Sequence, residues 1–140
     1  MADHPVTVAG PDRDGNGARL RRGGCSCGAV RFVLRGEPLV VGLCHCRDCR
    51  KATGGVAMAY ADWPASAFTF EGEASAFRGR SFCAVCGSRL FHLQTETVEV
   101  MLGALDEAPT DLRPVQEGWT IRREPWLAAV PGAVQADRDP

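Results

Sequence analysis

Apolar residues recur at every second position through much of the middle of this chain. Val30, Phe32 and Leu34 alternate with Arg31 and Arg35, interrupted only by Val33, which predicts a strand. Gly36-Glu37-Pro38 signals a turn, and Leu39 to Leu43 is a short apolar run leading into Cys44. Val56 to Ala61 predicts another, and Phe68 and Phe70 a further one before the turn at Glu71-Gly72. Leu90-Phe91-His92-Leu93 reads the same way. Val98, Val100 and Leu102 alternate with Thr97, Glu99 and Met101 in a clear two-residue period. Only Arg47 to Ala52 and Pro64 to Ala67 look like short helical turns. The pattern predicts a mainly β domain of short strands.

The ends break the pattern. Residues 1–21 are rich in Pro, Gly, Asp and Arg, and 132–140 is similar, so both are expected to be flexible tails around a domain at 22–131. At 140 residues the chain fits one domain. No apolar run reaches the ~18–20 residues of a membrane-spanning helix, so no membrane partner is expected. The opening Met1-Ala2-Asp3-His4-Pro5 lacks the charged-then-apolar pattern of a secretory signal, which predicts a cytoplasmic protein. With 16 basic and 17 acidic residues, the charge gives no support to a nucleic-acid partner. It is silent on oligomeric state.

Cysteine changes this picture. The seven cysteines form three clusters: Cys25-Ser26-Cys27, Cys44-His45-Cys46-Arg47-Asp48-Cys49 and Cys83-Ala84-Val85-Cys86. Thiolates one or two residues apart grip one ion together, and tetrahedral zinc takes four ligands. Two clusters of two therefore complete one site, and the cluster of three makes a second site one ligand short. An open position separates a catalytic zinc from a structural one. Disulfides fit worse, because seven is odd and Cys-x-Cys partners sit too close for a relaxed bridge. In a reducing compartment such spacing points to metal.

Glycine separates the clusters. Cys27-Gly28 and Cys86-Gly87 share an offset that suits a sharp turn around an ion, with positive φ just past the second ligand. The central cluster has no such glycine. Cys25, Cys27, Cys83 and Cys86 therefore read as a closed structural site, and Cys44, Cys46 and Cys49 as an open, catalytic one. Spacing alone also permits pairing Cys25 and Cys27 with part of the central cluster. His45 is a possible fourth ligand, but neighbours on an extended strand point apart, which favours a packing or supporting role. His92 on its strand reads as core or surface, and His4 lies in the tail. Arg47, Arg50 and Lys51 read equally as a solvated turn or as contacts for an anionic thiol, and Asp48 as a base or a turn residue.

Three segments carry a resemblance: Gly23-Gly24-Cys25-Ser26-Cys27-Gly28-Ala29-Val30-Arg31, Cys44-His45-Cys46-Arg47-Asp48-Cys49-Arg50 and Phe82-Cys83-Ala84-Val85-Cys86-Gly87. In that order they resemble the glutathione-dependent formaldehyde-activating enzyme (GFA) family, the group that also includes centromere protein V. Gly103-Ala104-Leu105-Asp106 and Glu124-Pro125-Trp126-Leu127 look like further landmarks. The likeness runs from about Arg22 to Pro131. It implies an Mss4-like, zinc-stapled β-sheet domain with two Zn²⁺ per chain, one on Cys25, Cys27, Cys83 and Cys86 and one on Cys44, Cys46 and Cys49. Seven bound thiolates and two zinc ions would move the formal charge from −1 to −4. The activity implied is that of a carbon–sulfur lyase-type enzyme, joining glutathione or a similar small thiol to formaldehyde or another aldehyde. Three thiolate ligands weaken zinc as a Lewis acid, so thiol activation is expected rather than carbonyl polarisation; no residue stands out as a general base. The alternative is a non-catalytic, zinc-ribbon-like module that binds protein, thiol or nucleic acid.

Overall fold

The computed structural model describes residues 10–140 and is mainly β. The chain enters through β1 (Leu20–Gly24), β2 (Arg31–Arg35) and β3 (Val40–Cys44). Helix α1 (Arg47–Thr53) follows, then β4 (Met58–Pro64) and a single 3-10 turn at Ala65–Ala67. Next come β5 (Phe68–Glu71), β6 (Ala74–Phe77), β7 (Arg80–Cys83), β8 (Arg89–Leu93) and β9 (Thr97–Met101). Two short strands, β10 (Gln116–Gly118) and β11 (Val134–Gln135), complete the order. Three strands form a small sheet in the order β1-β2-β5, and eight form a large one in the order β11-β10-β3-β4-β9-β8-β7-β6.

Alternation along the strands gives the large sheet two unlike faces. Val41, Ala61, Val100 and Phe91 stand opposite one another across β3, β4, β9 and β8 and are all buried. This face meets the small sheet through aromatic rings. Phe91 lies 4.8 Å from Phe68 and 6.4 Å from Phe32, centroid to centroid and edge-on, an arrangement aromatic pairs prefer. Trp63 extends the same face, fully buried, and its indole N–H donates to the Gly36 carbonyl at 3.1 Å. Trp63→Ala is expected to cost about 3–5 kcal/mol, seen as a lower denaturant midpoint at unchanged slope. The opposite face is polar: Asp62, Glu99, His92 and Arg80 form one cross-strand row, with Tyr60 and Cys44 on the same side.

The expected strands appear with shifted ends. β4 starts at Met58 rather than Val56, because Cys44↔Met58 is the last pair its partner offers. Leu102 leaves β9 for a 3-10 turn at Leu102–Ala104. β1 alternates in burial but not in apolar sequence, because its buried positions are Arg21 and Gly23, and a side chain at Gly23 would collide with the Ala104 carbonyl and the Phe32 ring. Of the segments read as tails, residues 1–9 lie outside the described residues. Residues 132–140 contribute β11, parallel to β10, and Trp119 donates to Asp139 at 2.8 Å. Their polar composition hides this because the contacts are hydrogen bonds rather than apolar burial. Among the described residues no helix is long and apolar enough to cross a membrane.

Candidate metal centres

The first centre joins the two sheets. Cys25 follows β1 of the small sheet and Cys83 ends β7 of the large one. Each begins a knuckle closed by glycine at positive φ: Gly28 at 82° donates to the Cys25 carbonyl at 3.2 Å, and Gly87 at 78° to the Cys83 carbonyl at 2.9 Å. Only glycine takes this conformation without strain. The turns aim backbone N–H groups at sulfur. Val30 donates to Cys25 Sγ at 3.2 Å, and Val85 and Cys86 donate to Cys83 Sγ at 3.4 and 3.5 Å.

The sulfurs of Cys25, Cys27, Cys83 and Cys86 all lie within 4.8 Å of one another. Cys25 and Cys27 are 3.6 Å apart, and Cys27 and Cys83 3.8 Å. Four thiolates on a tetrahedral zinc at 2.3 Å would be about 3.8 Å apart, so the donor set fits that ion. All seven cysteines are unbridged.

The second group is Cys44, Cys46 and Cys49, whose sulfurs also lie within 4.8 Å of one another. Cys44 is the last residue of β3, and Cys49 sits buried within α1. Cys46 is the cap of α1, its sulfur accepting the Cys49 N–H at 3.3 Å. A capping sulfur thus starts the helix that delivers the third sulfur. Gly54, left-handed at φ 72°, ends it after two turns. Among the described residues no His, Asp or Glu joins either group. The clusters can hold two metal ions, one with four protein donors and one with three.

Crowded thiols resist ionising together without a cation. The Cys49 hydrogen bond lowers the Cys44 thiol to about 6, and the interaction with Cys44 drives Cys49 far upward. In the other cluster the Ser88 hydroxyl lowers Cys86 to about 5. Against the Ala29 N–H, the sulfurs of Cys25, Cys86 and Cys83 push Cys27 up to about 11. A bound divalent cation would relieve this conflict in both places.

His45 turns away from the trio. It is fully buried, and its Nε2 lies 2.8 Å from Glu117 Oε1. Glu117, also fully buried, accepts from Val130 N–H and Gln135 Nε2, each at 2.8 Å. Burial opposes the charge, but donors from Gln135, His45 and Val130, with Arg123 nearby, hold the carboxyl down at about 2. A depressed carboxyl stabilises the fold above its ordinary value near 4.5, and this contribution fades as pH falls toward about 2. Glu117→Ala is expected to cost about 3 kcal/mol at pH 7, because it strands the buried His45 imidazole and takes the acceptor from the Val130 and Gln135 amides. The gap between variant and parent in denaturant midpoint will shrink as pH drops below 4.5.

The three cations near the trio differ in their contacts. Arg50 donates to Glu124 at 2.6 Å and to the Arg122 carbonyl at 2.9 Å, which ties Glu124-Pro125-Trp126-Leu127 to α1. Arg47 is exposed, 4.0 Å from Asp48 Oδ1, and with Lys51 faces two hollows on either side of the helix. His92 lies on β8, its basicity reduced by burial and by Arg89 and Arg80. Sequence reasoning missed Glu117, Arg78, Arg80 and Arg89. The run Arg78-Gly79-Arg80, directly after Phe77, was a readable signal of a cationic turn. Glu117 carried none.

A family model described as "Glutathione-dependent formaldehyde-activating enzyme" matches residues 20–122. No curated protein matches the chain. Among solved structures, a Rhodobacter sphaeroides protein matches at 24% identity with a TM-score of 0.49, covering 64% of this chain and 91% of that one.

Proposed function

Because the chain belongs to the glutathione-dependent formaldehyde-activating enzyme family, we propose that it joins a small thiol, glutathione or similar, to formaldehyde or another small aldehyde. The observation that carries this reading is the trio: three sulfurs gathered at a cation-ready site with no fourth protein donor among the described residues. The reaction is an addition. The thiol sulfur bonds to the carbonyl carbon, the carbon–oxygen π bond opens, and the thiol proton ends on that oxygen, with no net oxidation or reduction.

Zinc, when bound by Cys44, Cys46 and Cys49, supplies a position where a thiol ionises at neutral pH. The chain's own residues do the rest. β3 and α1 fix the three sulfurs from different elements, so their spacing is set by the fold before any ligand arrives. Glu117 holds the His45 ring toward β10, which keeps that imidazole out of the three-sulfur group. The four-cysteine group anchors β1 to β7 and takes no part in the chemistry. Two zinc ions per chain, a lyase assignment and a cytoplasmic setting follow from the same reading.

The test is the rate at which glutathione and ¹³C-formaldehyde approach their equilibrium with S-hydroxymethylglutathione, followed by NMR. The zinc-loaded protein is expected to accelerate the approach in proportion to its concentration. A rate equal to that without protein, on fully zinc-loaded material, removes the enzymatic reading and leaves a binding module.

A further inference from the structure

Helix α1 and the β6–β7 hairpin enclose a cleft of about 500 Å³. From the helix come Arg47, Asp48 and Lys51; from the hairpin and β8 come Arg78, Arg80 and Arg89, with Phe77 and Phe82 beside them. The chain as a whole holds 16 basic and 17 acidic residues, yet five cations face one acid here. Charge has been segregated into one concave place. Repulsion among like charges in a shared cleft is unfavourable unless an anion enters.

Two details point the same way. Among the described residues, only Arg47 of the five cations has a carboxylate within 4.0 Å, and that is the exposed Asp48. Arg89 donates to the carbonyls of Phe91 and Ser81 through one nitrogen at 3.1 and 3.5 Å, while its Nε and other terminal nitrogen are buried with no partner among the described residues. A guanidinium held in the sheet with three of its five N–H donors unmatched leaves a positive field at the cleft wall, which Glu99 tempers only from beyond ion-pair distance. Phe77, two-thirds exposed under the Arg78 guanidinium at 5.3 Å, adds an apolar surface for a carbon chain.

We propose that this cleft binds a small organic ligand carrying at least two negative groups, carboxylate or phosphate, and no ammonium. Asp48 alone offers a counter-charge to an ammonium, and it already faces Arg47. A zwitterionic ligand therefore gains less here than a pure polyanion of the same size. The wall of the cleft is the helix that carries Cys49, so a thiol with such a tail would be held beside the trio. That last step rests on the reading in the preceding section; the binding step does not.

The experiment uses ligands that have no free thiol, so that binding is read without turnover. Calorimetry on the zinc-loaded protein at low salt compares S-methylglutathione, which keeps its ammonium, with N-acetyl-S-methylglutathione, which lacks it, and with inorganic pyrophosphate. At least one of the latter two is expected to bind about tenfold more tightly than S-methylglutathione, and the tighter of them tells carboxylate from phosphate. Arg78→Gln with Arg80→Gln is expected to abolish that preference, while Arg35→Gln on the small sheet leaves it intact. In the unaltered protein the preference will weaken as salt rises.

Equal affinities, or a preference that survives the double substitution, would overturn the proposal. So would tighter binding of a short single-stranded oligonucleotide, lost in the same variant, which would make the cleft part of a nucleic-acid surface. If the polyanion preference holds but adduct formation fails, the cleft stands and the thiol–aldehyde reading falls. The converse result separates the two the other way.

Discussion

Replacing Cys83 with serine is expected to abolish cooperative folding. Cys83 is fully buried, and its sulfur sits with those of Cys25, Cys27 and Cys86 where the two sheets meet. If zinc fills that group, its binding is part of the folding free energy. Structural zinc supplies an apparent ~10–16 kcal/mol, while a domain of this size is stable by only ~5–15 kcal/mol. Losing one of four ligands removes enough of the first to consume the second. The remaining contacts between the sheets centre on Phe32, Phe68 and Phe91, and such a cluster contributes only a few kcal/mol beyond its area. The readouts are near-ultraviolet circular dichroism and zinc content, both of which will collapse together. A Cys83→Ser protein that stays folded with one zinc fewer would mean that the four-cysteine group is not what joins the sheets.

Cys44→Ser is expected to behave in the opposite way. Cys44 ends a central strand that pairs with β4 on one side and β10 on the other, so its backbone is held whether or not an ion is present. Far-ultraviolet dichroism and the cooperative unfolding transition will persist. One zinc will be lost, and adduct formation will fall at least about a hundredfold, since loss of a supporting contact alone costs ten- to a hundredfold. Serine cannot replace the thiolate, because its hydroxyl stays protonated at neutral pH. Should Cys44→Ser and Cys83→Ser prove equally damaging to the fold, the division into a structural and a working centre is mistaken.

The grouping of the cysteines into four and three was legible in the sequence because metal knuckles are local. Two cysteines and a glycine within four or five residues fix a turn and the direction of two sulfurs, so Gly28 and Gly87 distinguished the outer pairs from the central cluster. Strands with one buried face were equally readable: β2 and β9 show their alternation directly. β6, β7 and β10 did not, because they are short and their exposed positions carry no period. The cationic cleft was hidden for a different reason. Arg47 and Lys51 on α1 meet Arg78 and Arg80 only because β7 lies alongside β8 in the large sheet, and long-range register is not written in local spacing. His45 and Glu117, 72 residues apart, meet for the same reason across the parallel pairing of β3 and β10. The preference for His45 as a supporting residue came from strand geometry, but its partner had to come from the fold.

If the trio holds an ion, one position on it is left for a thiol. The decisive measurement is zinc stoichiometry on freshly purified, reduced protein, combined with X-ray absorption at the zinc edge with and without glutathione. Two zinc ions per chain are expected and, on adding glutathione, a rise in mean sulfur coordination as a thiol joins the second ion. One tightly held zinc per chain with no change on adding glutathione would contradict that expectation.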